Sequence, residues 1–218
     1  MEQRKILISE VVPISIVFVI SESQANSGPT LWMKSSEASD DELDLQITAS
    51  HYMDWLKPST GHAIVLGTAV MTPKSVGRVR LKSSDSQLTP SIEYNLLSDD
   101  ADRRRMLEGV KLSRQIGRTL RLADFVEYEM TPGPEVIDDQ ALEQAVRTNL
   151  DTYHHGACTV PTGGDADPQA VVDGMGRVRH VQDLRVVDAS IFPEILSEPI
   201  NLTVIRPERP LVVETAFS

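Results

Sequence analysis

A single cysteine, Cys158, in 218 residues leaves no internal disulfide framework and no multi-cysteine metal site. A reducing, cytoplasmic setting is the expectation. Aromatics make up only 5% of the chain, too few for platforms on which bases stack. Basic side chains number 21 against 32 acidic ones, and a net charge of −11 argues against a nucleic-acid partner. Long apolar runs are scarce as well. The best candidate, residues 11–20, is interrupted by Pro13 and Ser15 and followed by Ser21-Glu22-Ser23, so it is too short to span a bilayer. Arg4 and Lys5 offer a basic start for a leader, but Glu2 and Glu10 offset it. No membrane association is therefore expected, and internal repeats are absent too.

What remains is an ordinary globular composition, 40% hydrophobic and 24% charged, on a chain long enough for one large or two small domains. Period-two alternation marks strands at Ile14-Ser15-Ile16-Val17-Phe18-Val19-Ile20 and at Leu43-Asp44-Leu45-Gln46-Ile47-Thr48. Residues 63–72 read as another strand, joined through Pro73-Lys74-Ser75-Val76-Gly77 to residues 78–82 as a hairpin, with residues 91–94 adding an edge. Ser98-Asp99-Asp100 caps a helix over 101–122, whose apolar residues Met106, Leu107, Val110, Leu112, Ile116 and Leu120 recur mostly every three or four positions. A second helix fits 138–150, with Ile137, Leu142, Ala145 and Val146 facing inward. Strands followed by helices predict an α+β fold, a mostly antiparallel sheet covered by helices. The texture changes after Thr152, where turns at Gly163-Gly164-Asp165 and Asp173-Gly174-Met175-Gly176 separate short strands. Residues 1–150 and 151–218 are expected to form two functional parts.

Two segments of the second part carry chemistry. One is Thr152-Tyr153-His154-His155-Gly156-Ala157-Cys158-Thr159, a histidine pair followed by small residues that leave room beside an imidazole. Imidazoles move protons near neutral pH. On these residues alone a structural role stays open beside a catalytic one. Zinc binding is disfavoured, because adjacent histidines cannot easily face one metal and the further ligands are missing, so no metal is expected. Cys158 in an acid-poor apolar run reads as packing rather than as a nucleophile. The other segment is Asp183-Leu184-Arg185-Val186-Val187-Asp188-Ala189-Ser190, a strand-like run. Its Asp188 either caps a turn or meets a cofactor at a strand end.

These segments, with their neighbours, resemble the C-terminal half of the glucose–methanol–choline (GMC) family of flavin oxidoreductases. Tyr153 to Gly163 is similar to the family's His-containing turn, and Asp167-Pro168-Gln169-Ala170-Val171-Val172-Asp173 matches its following Asp-Pro-x-x-Val-Val-Asp. Leu184-Arg185-Val186-Val187-Asp188-Ala189-Ser190-Ile191-Phe192-Pro193 matches a family hallmark almost throughout. Upstream, Pro73-Lys74-Ser75-Val76-Gly77-Arg78-Val79 and Asn95-Leu96-Leu97-Ser98-Asp99-Asp100-Ala101-Asp102 resemble family segments too. The resemblance is weakest before about residue 43.

The resemblance implies an FAD enzyme that moves a hydride from an alcohol carbon of a small-molecule substrate to the flavin, while a histidine takes the hydroxyl proton. By motif position that general base is His155, with His154 one residue away as the alternative. Asp188 and Ala189 are implied near the flavin pyrophosphate and ribityl chain, and Asn201, Leu202 and Thr203 near the isoalloxazine. Three departures accompany these matches. No Gly-x-Gly-x-x-Gly fingerprint occurs, although the family holds the ADP half of FAD with it. The expectation is a natural split, with Met1-Glu2-Gln3-Arg4-Lys5 as a genuine start and a second polypeptide carrying the Rossmann-like half. Next, Pro199 stands at the family's second active-site His or Asn, which makes Glu198 the candidate substitute. Finally, Cys158 replaces a Gly, Thr162 a frequent Met, and Pro207 and Pro210 fall where the family has a helix. Two further readings stay open: a non-redox, lyase-like activity on this scaffold, and a catalytically silent subunit that stabilises a flavoprotein partner.

Overall fold

Alternating apolar residues early in the chain give its longest strand, β2 (Val12–Ile20), in a computed structural model that describes residues 6–8, 12–20, 29–39, 41–51, 58–197 and 200–205. The other strands are β1 (Ile6–Ile8), β3 (Thr30–Met33), β4 (Leu45–His51), β5 (Ala63–Val70), β6 (Gly77–Arg80), β7 (Ser91–Glu93) and β8 (Val126–Thr131). The helices are α1 (Asp100–Gly117), α2 (Leu120–Ala123), α3 (Asp139–Thr148) and α4 (Asn201–Ile205), with a 3-10 turn at Ala189–Ile191. Every named strand pairs antiparallel with its neighbours, and helices cover the larger sheet, as the α+β reading expects. No helix among the described residues is long and apolar enough to cross a membrane.

The chain divides into two compact units. The first comprises Val12–Lys74 and Leu97–Thr152. Its five-stranded sheet runs β3-β4-β5-β2-β8. On one face Phe18, Leu45 and Thr68 meet α1, and on the other Val17, Ala63 and Val65 form a smaller apolar cluster. The helix can lie this close because glycine stands at two contact positions. A Cβ on Gly109 would stand 2.5 Å from Thr68 Cγ2, and one on Gly117 would collide with the Phe18 ring. Asp99 begins α1 by accepting from the Ala101 N–H at 2.8 Å, the cap that the sequence announces. The helix stops at Gly117 rather than running to 122, because Thr119 resets the backbone and α2 starts afresh.

A buried ionic knot fixes this unit's loops. Arg105, 3% exposed, donates to Asp102 at 2.7 Å, to the Thr72 carbonyl at 2.9 Å and to Asp44 at 3.4 Å. Asp44 also accepts from the N–H and hydroxyl of Ser35. In α3, Leu142 and Val146 are buried as expected, but Ile137 is 84% exposed, because it precedes the Asp138 cap and lies outside the amphipathic repeat.

The second unit comprises Met1–Val11, Ser75–Leu96 and Tyr153–Ser218, with a three-stranded sheet ordered β1-β6-β7. Two expectations fail here. Residues 63–72 and 78–82 do not form a hairpin: β5 and β6 sit in different sheets, each with other partners. Residues 183–190 are not a strand, since they make one isolated bridge, Arg177 to Arg185, before the 3-10 turn. The break near residue 150 falls between Thr152 and Tyr153, but the second unit also takes in two earlier segments.

Candidate active site

Short-range polar bonds shape the second unit where long strands are lacking. Asp173 accepts from the N–H groups of Met175 and Arg177 at 2.8 and 2.9 Å, and these bonds hold its carboxyl below the usual range, that from Arg177 most. Gly176 has φ +73°, and a Cβ there would stand 2.6 Å from the Val186 carbonyl oxygen, so the turn requires glycine. Arg179 donates to the Gly163 carbonyl at 2.8 Å. Asp173 of the Asp-Pro-x-x-Val-Val-Asp match and Gly176 of the turn after it therefore build the frame.

On that frame sits the histidine turn. His154 and Cys158 adopt left-handed backbone, φ +59° and +68°, which costs a non-glycine residue roughly 1–2 kcal/mol each. Outliers of this kind persist where surrounding structure over-determines them, and they cluster at functional sites. The His154 side chain is exposed and that of His155 half-buried, with the Tyr153 ring set edgewise to it at 4.8 Å between centroids and 66° between planes. Burial lowers the His155 pKa, and the neighbouring charge of His154 lowers it further, so the neutral imidazole is favoured. Burial also pushes the Cys158 thiol up to about 12, with a smaller contribution from Glu194. A thiol so placed is packing, as the sequence indicates.

Backbone bonds join this turn to the other predicted segment. The N–H groups of Cys158, Val160 and Thr162 donate to the carbonyls of Ala189, Ser190 and Ile191 at 3.3, 2.8 and 2.9 Å. Asp188 caps the 3-10 turn, its carboxylate accepting from the Ser190 N–H at 2.9 Å and from the Ser190 hydroxyl. Ala157, Val172, Ile191, Phe192 and Ile200 form one buried cluster beneath, with Ala189 packed against it. Both chemistry-bearing segments and the entry to α4 are thus anchored on one small core. Asn201, exposed, and Thr203, half-buried, lie on α4. Leu202 shares that helix, but its side chain, like the whole of Glu198, lies outside the described residues. No cluster of three metal-ligating side chains occurs among the described residues. Tyr153 proves to be the ring beside His155; its signal in the sequence is an aromatic two residues before that histidine.

A family model described as GMC oxidoreductase matches residues 73–206, more than half of the chain. The chain belongs to the GMC oxidoreductase family. It corresponds to the C-terminal part of that family's members, which are FAD-binding flavoproteins. An oxygen-dependent choline dehydrogenase of Pseudomonas syringae pv. tomato is 39% identical over 140 residues, covering 64% of this chain and 24% of the relative. Another, from Stenotrophomonas maltophilia, is 31% identical over 194 residues, covering 82% and 35%. Among solved structures, pyridoxine 4-oxidase from Mesorbium loti superposes with a TM-score of 0.76 at 24% identity, covering 92% of this chain and 41% of that one. Aspergillus oryzae formate oxidase gives 0.77 at 19%, covering 90% and 44%. These two likenesses establish the fold. The GMC chain spans about a quarter to a third of the curated relatives' length.

Proposed function

We propose that this chain provides the base-bearing part of an FAD-dependent enzyme that oxidises a small alcohol. Residues 1–150 serve substrate binding, and 151–218 supply the base and contacts to the flavin. The observation that carries the reading is the pairing of the histidine-bearing segment with the Ala189–Ile191 turn through three backbone bonds, within a chain of this family.

The residues present suit a flavin. Around the 3-10 turn stand exposed Val187 and Asp188, and on α4 the exposed carboxamide of Asn201 and the hydroxyl of Thr203. An apolar surface with a few polar groups is what a ring with a polar rim requires. Bound FAD supplies the hydride acceptor. In this reading Asp188 and Ala189 contact the pyrophosphate and ribityl chain, and Asn201, Leu202 and Thr203 the isoalloxazine. His155 accepts the hydroxyl proton at an imidazole nitrogen. Its burial keeps that nitrogen unprotonated at neutral pH, the state a base needs, at some loss of basicity. Glu198 serves as the second catalytic residue where Pro199 has displaced the family's His or Asn; unchanged turnover in Glu198→Gln removes it.

The ADP half of FAD is held from outside these 218 residues, by a second polypeptide carrying a Gly-x-Gly-x-x-Gly turn, and the pair works in the cytoplasm. The test is His155→Ala in the assembled, FAD-loaded enzyme, read by stopped-flow flavin reduction under alcohol. Loss of reduction by about 10²- to 10⁴-fold, the typical contribution of one positioned base, is expected. Unchanged reduction contradicts the reading. A defect in assembly alone favours the silent-subunit alternative, and turnover without flavin reduction the lyase-like one.

A further inference from the structure

The geometry points to Tyr153 as a positioning residue: turned onto His155 by the left-handed backbone of His154, its ring fixes the imidazole and shields it from water. The inference rests on His155 being the base and adds a residue to that site. In ordinary extended backbone, side chains at i and i+2 point the same way but stand nearly 7 Å apart, at roughly 3.3 Å rise per residue. Here the ring centroids are 4.8 Å apart, at 66°. The residue between them carries the positive φ, +59°, and its own side chain is exposed. The strained residue is therefore the one that closes the two rings together. Edge-to-face packing at this separation is one of the preferred arrangements of two π-systems, so it defines an angle for the imidazole as well as contact. A base must meet its proton within hydrogen-bond reach, which makes ring orientation matter to rate.

Water exclusion follows from the same contact. Burial is the larger cause depressing His155's proton affinity, and the His154 charge the smaller. Tyr153 is half-buried beside the imidazole and forms part of that cover. Its aromatic ring does this work, since a ring is what the geometry uses; the phenol hydroxyl enters nowhere in the packing argument.

The experiment is ring-carbon NMR of histidine-labelled protein, in the full chain together with any polypeptide that co-purifies. The wild type should show a nuclear Overhauser contact between Tyr153 and His155 ring protons. Tyr153→Ala should raise the His155 titration midpoint toward that of a solvated imidazole, and Tyr153→Phe should restore the wild-type midpoint. In turnover, Tyr153→Ala should lower kcat about tenfold with KM within about twofold, the mark of a misplaced base. Absence of the Overhauser contact overturns the proposal, as does a Tyr153→Ala midpoint that stays put or falls, or a Phe variant that matches Ala. The contact and the Phe variant keep the test decisive if Tyr153→Ala does not fold. Should the midpoints fail to move while His155→Ala still abolishes flavin reduction, this inference falls and the base assignment stands. Should His155→Ala reduce flavin normally, the functional reading itself falls.

Discussion

At His155 two effects act in the same direction: burial and a neighbouring imidazole both disfavour the added proton. The acid limb of kcat/KM is therefore expected below pH 6.5, the ordinary histidine value, since the free base persists to lower pH. Removing the neighbouring charge with His154→Gln should move that limb upward, measured as a pH profile of steady-state turnover. A limb that stays or moves down contradicts the assignment. Cys158 gives a second residue-scale expectation. With its thiol pushed up to about 12, only about one molecule in ten thousand is thiolate at pH 8. Iodoacetamide should label it slowly in the folded protein, faster as pH rises, and rapidly in urea. Rapid stoichiometric labelling of the folded protein at pH 8 would show that the half-buried thiol is more open than its packing implies. Sequence gave away the histidine pair through its small neighbours. It did not reveal the left-handed backbone at His154, because positive φ at a non-glycine residue is imposed by the surrounding fold.

At the scale of elements, α1 and its sheet approach through glycine. Gly117→Ala would improve intrinsic helix propensity by about 1 kcal/mol. The same methyl would strike the Phe18 ring, and overpacking of this kind costs typically 1–3 kcal/mol. We expect the clash to win and the thermal midpoint to fall by several degrees in calorimetry; a rise would mean that α1 sits farther from β2. Strands with clear alternation, β2 and β4, were legible. β3 and β8 were not: β3 is four residues directly after Ser27-Gly28-Pro29, and β8 carries Glu127 and Glu129 on a six-residue run. Glu129 is nevertheless buried, its charge met by Arg114 at 2.6 Å, and no local pattern announces such a partner. Residues 183–190 show the converse error. An apolar run rich in β-branched residues supplies a propensity, but a strand needs a neighbour, and Leu184 and Val187 stay 49% and 74% exposed instead.

For the whole molecule, the buried ionic knot and the candidate site fall on different parts of the chain. The Arg105–Asp44–Asp102 knot ties α1 to the segments before β4 and after β5. Arg105→Ala should destabilise by about 3–5 kcal/mol, because it leaves two buried carboxylates facing each other without their cation. Denaturant titration checks this, and a loss below about 1 kcal/mol would show the cluster to be hydrated. Among the described residues, the second unit carries most of the large exposed apolar side chains, with Leu81, Met175, Val181, Leu184 and Val187 all about half or more open to solvent. Under the proposed function, such surface is what the dinucleotide-binding half would cover. The antiparallel α+β class was readable from the chain, since strand and helix periods differ. Its division into units was not, because residues 75–96 fold with segments far away in sequence.

The central claim is that these residues complete a flavin site whose other wall comes from elsewhere. Co-expression with and without a polypeptide carrying the Gly-x-Gly-x-x-Gly half, followed by flavin absorbance of the purified material, tests it directly. Stoichiometric FAD is expected only when both polypeptides purify together. Tight FAD retention by the 218-residue chain alone would contradict the account.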